Sequence, residues 1–305
     1  MQRVIISGAS GFLGSSLAKA FLDNGYNVSA LVRTTSNVDR LESVLNNPNF
    51  KLYRLNEDAD LNLAINWENI DVAIHTATNY GRNNQDAHSV FMANEDFALR
   101  FLEAASKNKL KAFINTDSFF NTEEIIYDNL LYYATSKKNF MDWGKVFANR
   151  SQIKFINVKL FHMYGFGDGE DKFIDHVIRA LVLKIPQLDL TKGEQKRDFI
   201  SVKDVISAYL FIVSNFEKIS ANFIAFDLGV GSSTSIKGIV EKIKKLSRNN
   251  VTKLNFGVRD YAQNEIMDSQ ANIDFLKSLG WKPKISLEEG LIEYIQQYKA
   301  VNNVL

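Results

Sequence analysis

Tyr133 and Lys137 stand four residues apart in the stretch Tyr-Tyr-Ala-Thr-Ser-Lys that begins at Tyr132. On a helix, that spacing puts both side chains on one face, about one turn from each other. A phenol at its ordinary pKa of about 10 is a poor proton donor or acceptor near neutrality. A nearby ammonium stabilises the phenolate, so the pair can give a proton to an oxygen or take one from it. A hydroxyl that could hold the same oxygen lies upstream in Asn115-Thr116-Asp117-Ser118. The reading places Thr116 in that task; a register shift of two would pass it to Ser118.

Proton transfer at an oxygen pairs naturally with hydride transfer at its carbon, and the start of the chain offers a place for a hydride carrier. Val4, Ile5 and Ile6 read as a buried strand, followed by Gly8, Gly11 and Gly14 and then a helical pattern with Leu17, Ala20 and Phe21 that Gly25 ends. Glycines let the backbone turn tightly and approach phosphates, and the helix N-terminus offers free N–H groups to a pyrophosphate. A second strand, Val28 to Val32, ends in Arg33, followed by Thr34, Thr35 and Ser36. An acidic residue near this place binds the ribose 2′-hydroxyl of NAD. A guanidinium beside hydroxyls suits a 2′-phosphate instead, so the expected cofactor is NADP(H).

Around these residues, strands and helices alternate. Strands are expected at Lys51 to Leu55, Asp71 to His75, Ala112 to Ile114, Ile153 to Phe161 and Phe223 to Leu228. Helices are expected at 40–48, 91–107, from Tyr132 onward, and at 173–184, 203–215, 235–247 and 287–298. Such alternation implies an α/β fold, a doubly wound parallel Rossmann sheet with a smaller C-terminal substrate-binding lobe. The expected division is 1–165 for the dinucleotide domain, with a return segment near 198–228, and 166–305 for the lobe. Ligands of such sheets lie beyond the carboxyl ends of the strands. Asn56 there could touch the adenine, and Thr76 and Ala77 let a cofactor lie against the backbone, with Asn79 beyond them. His75 reads as a packed structural histidine.

Composition removes other classes. Lys and Arg number 36 against 35 Asp and Glu, so no global basic field argues for nucleic acid or acidic membranes. The chain has no cysteine, which excludes disulfides, thiolate metal sites and a cysteine nucleophile. Its four histidines lack metal-ligand spacing, and no metal is expected. No apolar run reaches about 18 residues and no signal-peptide pattern occurs, so a cytoplasmic location is expected.

Gly8, Gly11 and Gly14, the pair Tyr133 and Lys137, Arg197-Asp198-Phe199 and the closing Leu-Gly-Trp-Lys-Pro near Trp281 together resemble the extended short-chain dehydrogenase/reductases that act on nucleotide sugars. The resemblance covers essentially the whole chain. It implies Thr116, Tyr133 and Lys137 as the catalytic triad, and adds Ser10, Phe12, Leu13 and Phe161 to the cofactor contacts. Arg197 and Arg259 become candidates for the sugar-nucleotide diphosphate. His162, where many relatives carry asparagine, is a substrate-side candidate with Asn79. The 4,6-dehydratases of this family carry Thr-Asp-Glu after the fifth strand; here the Glu position is Ser118, so the base for losing water is missing. Asn115 to Asp117, Tyr132 to Lys138 and Leu190 to Ile200 look more like nucleotide-deoxysugar 4-ketoreductases of the CDP-abequose synthase kind, which often serve surface polysaccharide. The alternative within the family is a 4-epimerase with tightly held NAD. The resemblance also implies a homodimer through the helices starting near Phe91 and Tyr133. The nucleotide base and the sugar stereochemistry stay open.

Overall fold

The computed structural model describes residues 2–82, 85–121 and 130–303. Up to Leu160 the order is β1 (Arg3–Ser7), α1 (Phe12–Asp23), β2 (Asn27–Arg33), β3 (Phe50–Leu55), α2 (Leu61–Ala64), β4 (Val72–His75), α3 (Ala87–Phe91), α4 (Phe97–Lys107), β5 (Ala112–Ser118), α5 (Leu131–Arg150) and β6 (Lys154–Leu160). There follow β7 (His162–Tyr164), α6 (Phe173–Val182), β8 (Gln187–Leu190), β9 (Lys196–Arg197), β10 (Phe199–Ser201), α7 (Val202–Asn215) and β11 (Phe223–Leu228). The chain closes with β12 (Thr234–Ser235), α8 (Ile236–Leu246), β13 (Lys253–Phe256), β14 (Asp268–Ser269), α9 (Asp274–Leu279) and α10 (Leu287–Val301). It divides into two compact units, 1–160 with 206–226, and 161–205 with 227–305.

The large sheet has seven strands in the order β11-β6-β5-β4-β1-β2-β3. Strands β1 to β6 pair in parallel throughout. Strand order reverses between β1 and β4, which makes the ends of those two strands the switch point where such sheets take ligands. The expected doubly wound Rossmann sheet is what the chain forms.

Phe101, Phe113, Phe140 and Phe155 fill the core of the first unit. Gly144 of α5 permits this packing: a Cβ there would lie 2.3 Å from the Phe155 ring. The missing side chain lets α5, the helix that carries Tyr133 and Lys137, sit close to β6. A polar row crosses the same sheet in register, Ser7 beside His75, His75 beside Asn115, and Asn115 beside Asn157.

The second unit has its own core on α6, α8 and α10, including Ile178, Val240 and Leu291. Asp198, buried, is its hub: its carboxylate accepts the N–H groups of Val230 and Gly231 at 2.8 Å and of Ala271 at 3.2 Å. The Asp of Arg197-Asp198-Phe199 is therefore a loop anchor. Asp204 does the same for the turn after Trp281, accepting from the Lys284 and Ile285 amides at 2.9 Å.

Several local expectations need correction. Residues 40–48 form no α-helix; a short 3-10 segment covers Asp39–Val44. The helix expected from Phe91 starts at Ala87 and carries a π-turn at Met92–Asp96 before α4. Strand β5 does not stop at Ile114 but continues through Ser118, because it pairs with β6 residue by residue to Ser118 and Leu160. The short strands of the second unit, two to four residues each, carry no periodicity long enough to read. The part of the Thr116–Tyr133 segment at 122–129 lies outside the described residues. Among the described residues no helix is long and apolar enough to cross a membrane.

Candidate active site

The turn after β1 is built against the loop after β4. Gly8 has φ +71°, and a Cβ there would fall 2.5 Å from the Ala77 nitrogen. A Cβ on Gly14 would fall 2.3 Å from the Gly8 carbonyl oxygen and 2.8 Å from the Thr76 hydroxyl. Thr76 locks the crossing by donating its hydroxyl to the Ser7 carbonyl at 2.7 Å. Helix α1 opens on Gly11, exposed and without a side-chain cap. Its first N–H groups, on Phe12, Leu13 and Gly14, are left to an outside acceptor. Ser10 and Phe12 are half-buried at this turn. A pyrophosphate group fits a cradle of this kind.

At the end of β2, Arg33 is exposed. Beside it the Thr34 hydroxyl donates to the Asn56 side chain at 3.1 Å, which ties Asn56 to the same corner. Arg54 braces the loop by donating to the carbonyls of Thr34 and Ser36 at 3.3 and 3.2 Å. Arg40 lies over the Phe12 ring, 5.7 Å from its centroid. Sequence reading singled out Arg33 alone; Arg54, on the neighbouring strand, braces the loop that follows it.

Tyr133 is buried on the first turn of α5, with the Lys137 Nζ 5.9 Å from its ring centroid. Burial, then the neighbouring Tyr80, push its proton affinity well above the ordinary phenol value; the Ser118 side chain and the Arg82 charge oppose them. The phenol is therefore protonated at neutral pH. The Thr116 hydroxyl is engaged elsewhere, with the Tyr209 hydroxyl at 2.6 Å. Because β5 runs on through Ser118, Thr116 and Ser118 stand two apart on one strand and share a face, with the Thr116 hydroxyl taken by Tyr209. Lys137 donates from Nζ to the Thr116 carbonyl at 2.9 Å. Burial lowers its pKa to about 8, against the pull of Asp117.

Tyr80 and Arg82 were missed from sequence. The Tyr80 ring lies 5.0 Å from that of Tyr133, and Arg82 caps Tyr80 at 5.0 Å from the centroid. A Tyr-x-Arg just past the fourth strand was the available signal. Asn79 is tied to its loop: its backbone N–H donates to the Asn94 side-chain oxygen at 2.7 Å, and its side-chain oxygen accepts the Gly81 N–H at 3.0 Å. Asn94, buried in the π-turn, also reaches Ser136 at 2.9 Å and so ties this loop to α5. His75 is packed among Phe97, Phe101, Phe113 and Phe140, bonds Ser7 at 2.7 Å, and is held neutral by burial and the Lys137 charge.

In the second unit, Arg197 is buried and paired with Glu265, and also donates to the carbonyls of Lys196 and Ile266. His162 packs on Phe199 at 5.6 Å, and burial followed by the Arg197 charge lowers its pKa to about 3. Its backbone N–H donates to the Asp198 backbone carbonyl at 3.1 Å. Arg259 is exposed, and Phe161 is half-buried with its N–H on the Leu228 carbonyl at 3.0 Å.

Residues 4–225 match the NAD dependent epimerase/dehydratase family. The chain belongs to that family. It is 34% identical over 302 residues to a CDP-abequose synthase of Salmonella typhimurium, covering 97% of this chain and 98% of the relative. A CDP-abequose synthase of Salmonella muenchen is 33% identical over 95% of this chain and 96% of its own length. Among solved structures, the fold is similar to a UDP-glucuronic acid 4-epimerase of Bacillus cereus in complex with UDP-glucuronic acid and NAD, with TM-score 0.83, 24% identity and coverage of 97% and 100%. As a member of the NAD dependent epimerase/dehydratase family, the chain is an oxidoreductase-type enzyme using a nicotinamide dinucleotide. The Gly8–Gly14 turn fits that cofactor, because α1 opens on Gly11 with no side-chain cap and so offers its first N–H groups to a pyrophosphate.

Proposed function

We propose that this chain is an NADPH-dependent 4-ketoreductase acting on a CDP- or dTDP-linked 4-keto-6-deoxyhexose, in deoxysugar synthesis for surface polysaccharide such as O-antigen. The observation that carries the reading is the likeness to CDP-abequose synthases over nearly the full length of the chain, and the buried Tyr133 with Lys137 Nζ 5.9 Å from its ring centroid agrees with it. A reductase needs a proton donor at rest, whereas oxidation of a substrate alcohol needs the phenolate. When bound, the reduced nicotinamide supplies the hydride. Tyr133 gives its proton to the oxygen at C4, Ser118 orients that oxygen, and Lys137 stabilises the phenolate left behind. Thr116 supports this group through its carbonyl, which holds Lys137.

Dehydration has no support in these residues. Ser118 stands where the dehydratase base would be, and Asp117 is turned inward, with both oxygens filled by N–H donors. Arg33 is the proposed partner of the cofactor 2′-phosphate. Arg197 and Arg259 are the proposed diphosphate ligands, Arg197 exchanging part of its contact with Glu265 for phosphate. The likeness to CDP-abequose synthases over nearly the full length supports the sugar class.

A cytoplasmic homodimer completes the proposal. Phe91 and Met92 on the first helix pair, with Tyr132, Trp143 and Val146 on α5, are large apolar residues left exposed. An apolar helical face of this kind suits a symmetric partner. The test of the activity is incubation with NADPH and a panel of CDP-, dTDP- and GDP-4-keto-6-deoxyhexoses. NADPH oxidation with at least one is expected. Tightly retained NAD, C4 inversion and no net NADPH use would favour the epimerase instead.

A further inference from the structure

Asp117 is a buried titratable group that ketone reduction does not use. It is 3% exposed, yet its carboxylate is fully bonded. Oδ1 accepts the Ser118 N–H at 2.7 Å, and Oδ2 accepts the amide groups of Asn157 at 2.6 Å and Asn121 at 2.7 Å. All three partners are donors, so they fit the ionised carboxylate and leave a protonated one with an O–H aimed at N–H groups. Asn157 is fixed in turn by Asn115, its cross-strand neighbour, which donates to it at 2.7 Å. Burial raises the Asp117 pKa, and the three donors together with the Lys137 charge oppose that rise and favour the carboxylate. The positive charge it faces is Lys137, 3% exposed, whose Nζ is bonded to the peptide carbonyl just before Asp117. A buried ammonium readily sheds its proton unless a fixed anion stands near.

We propose that Asp117, clamped by Asn121, Asn157 and the Ser118 amide, is a positioning residue that keeps the Lys137 ammonium charged and in place beside Tyr133. The proposal rests on Tyr133 and Lys137 being the proton-transfer pair. The other groups facing this pair come from every side: His75 of β4, neutral and feeling the Lys137 charge; Tyr209 of α7, raised by burial and by Asp117; and Tyr80 and Arg82 of the loop after β4, acting on Tyr133 in opposite directions. The Asp117 charge strengthens proton binding by both Lys137 and Tyr133. Removing it loosens both protons, and both are needed for reduction, so activity should be lost at lower pH.

The test uses protein labelled with carbon-13 at the lysine ε-carbons, with the Lys137 signal assigned by Lys137→Ala. In Asp117→Asn, the Lys137 titration midpoint should fall by about one pH unit or more, and the alkaline limb of kcat/KM should move down with it. Asn157→Ala, which leaves the carboxylate but removes one donor, should give a smaller fall in the same direction. If Asp117→Asn does not fold by circular dichroism, Asn157→Ala decides alone. An unmoved Lys137 midpoint in the folded variant overturns the proposal. The titration needs no substrate, so an enzyme inactive on every keto sugar with a shifted midpoint would sink the ketoreductase reading and leave the role of Asp117 standing.

Discussion

Ser118 of β5 acts on the Tyr133 phenol, opposing the upward shift that burial imposes on it. The Thr116 hydroxyl is spent on Tyr209 at 2.6 Å, so the two hydroxyls of one strand have separate tasks. Ser118→Ala should lower kcat by about a hundredfold, the usual effect of losing one donor at a developing oxyanion. Thr116→Val should change kcat far less and instead reduce thermal stability, since it strands the buried Tyr209 hydroxyl. Steady-state kinetics and a thermal melt on both variants check this. The reverse ranking in kcat would return the triad hydroxyl to Thr116.

The pH profile follows from Lys137. Burial brings its pKa to about 8, and the charged form is the useful one. The ammonium is present below that value and is lost as pH rises through it, so turnover should fall on the alkaline side near pH 8. Tyr133, shifted upward, keeps its proton over the same range and does not set this limb. A rate that stays flat well above that pH contradicts the assignment of Lys137.

The proposed preference for NADPH is tested at Arg33. Arg33→Glu places a like charge against the 2′-phosphate and should raise KM for NADPH by about tenfold or more while improving NADH. Comparing both cofactors in wild type and variant is sufficient. Equal use of NADH and NADPH by the wild type would show that Arg33 does not select.

Much of this arrangement could be read in the sequence because it rests on backbone rules. Gly8 and Gly14 must be glycines where two chain segments cross within 2.3 to 2.5 Å of a would-be Cβ, and the alternation of strands and helices needs only local periodicity. The choice between Thr116 and Ser118 was left open because it depends on how far β5 runs, which the pairing with β6 sets from 40 or more residues away. The tasks of Asp117 and Arg197 were hidden for the same reason. Their partners, Asn157 and Glu265, are remote in sequence, and nothing in the local pattern marks them.

Gly144 links the core to the site. Alanine there would gain about 1 kcal/mol of helix propensity but place a methyl 2.3 Å from the Phe155 ring. Overpacking of that kind costs about 1–3 kcal/mol. Gly144→Ala should therefore lower the melting temperature and reduce kcat by shifting α5. An unchanged or raised melting temperature would show that Phe155 gives way freely.

The most direct measurement of the central claim follows the hydride. With NADPH carrying deuterium at the transferred position and a CDP- or dTDP-4-keto-6-deoxyhexose, the product should carry one deuterium at C4 for each NADPH consumed. An unlabelled sugar whose C4 has inverted while NADPH is untouched would contradict the ketoreductase account.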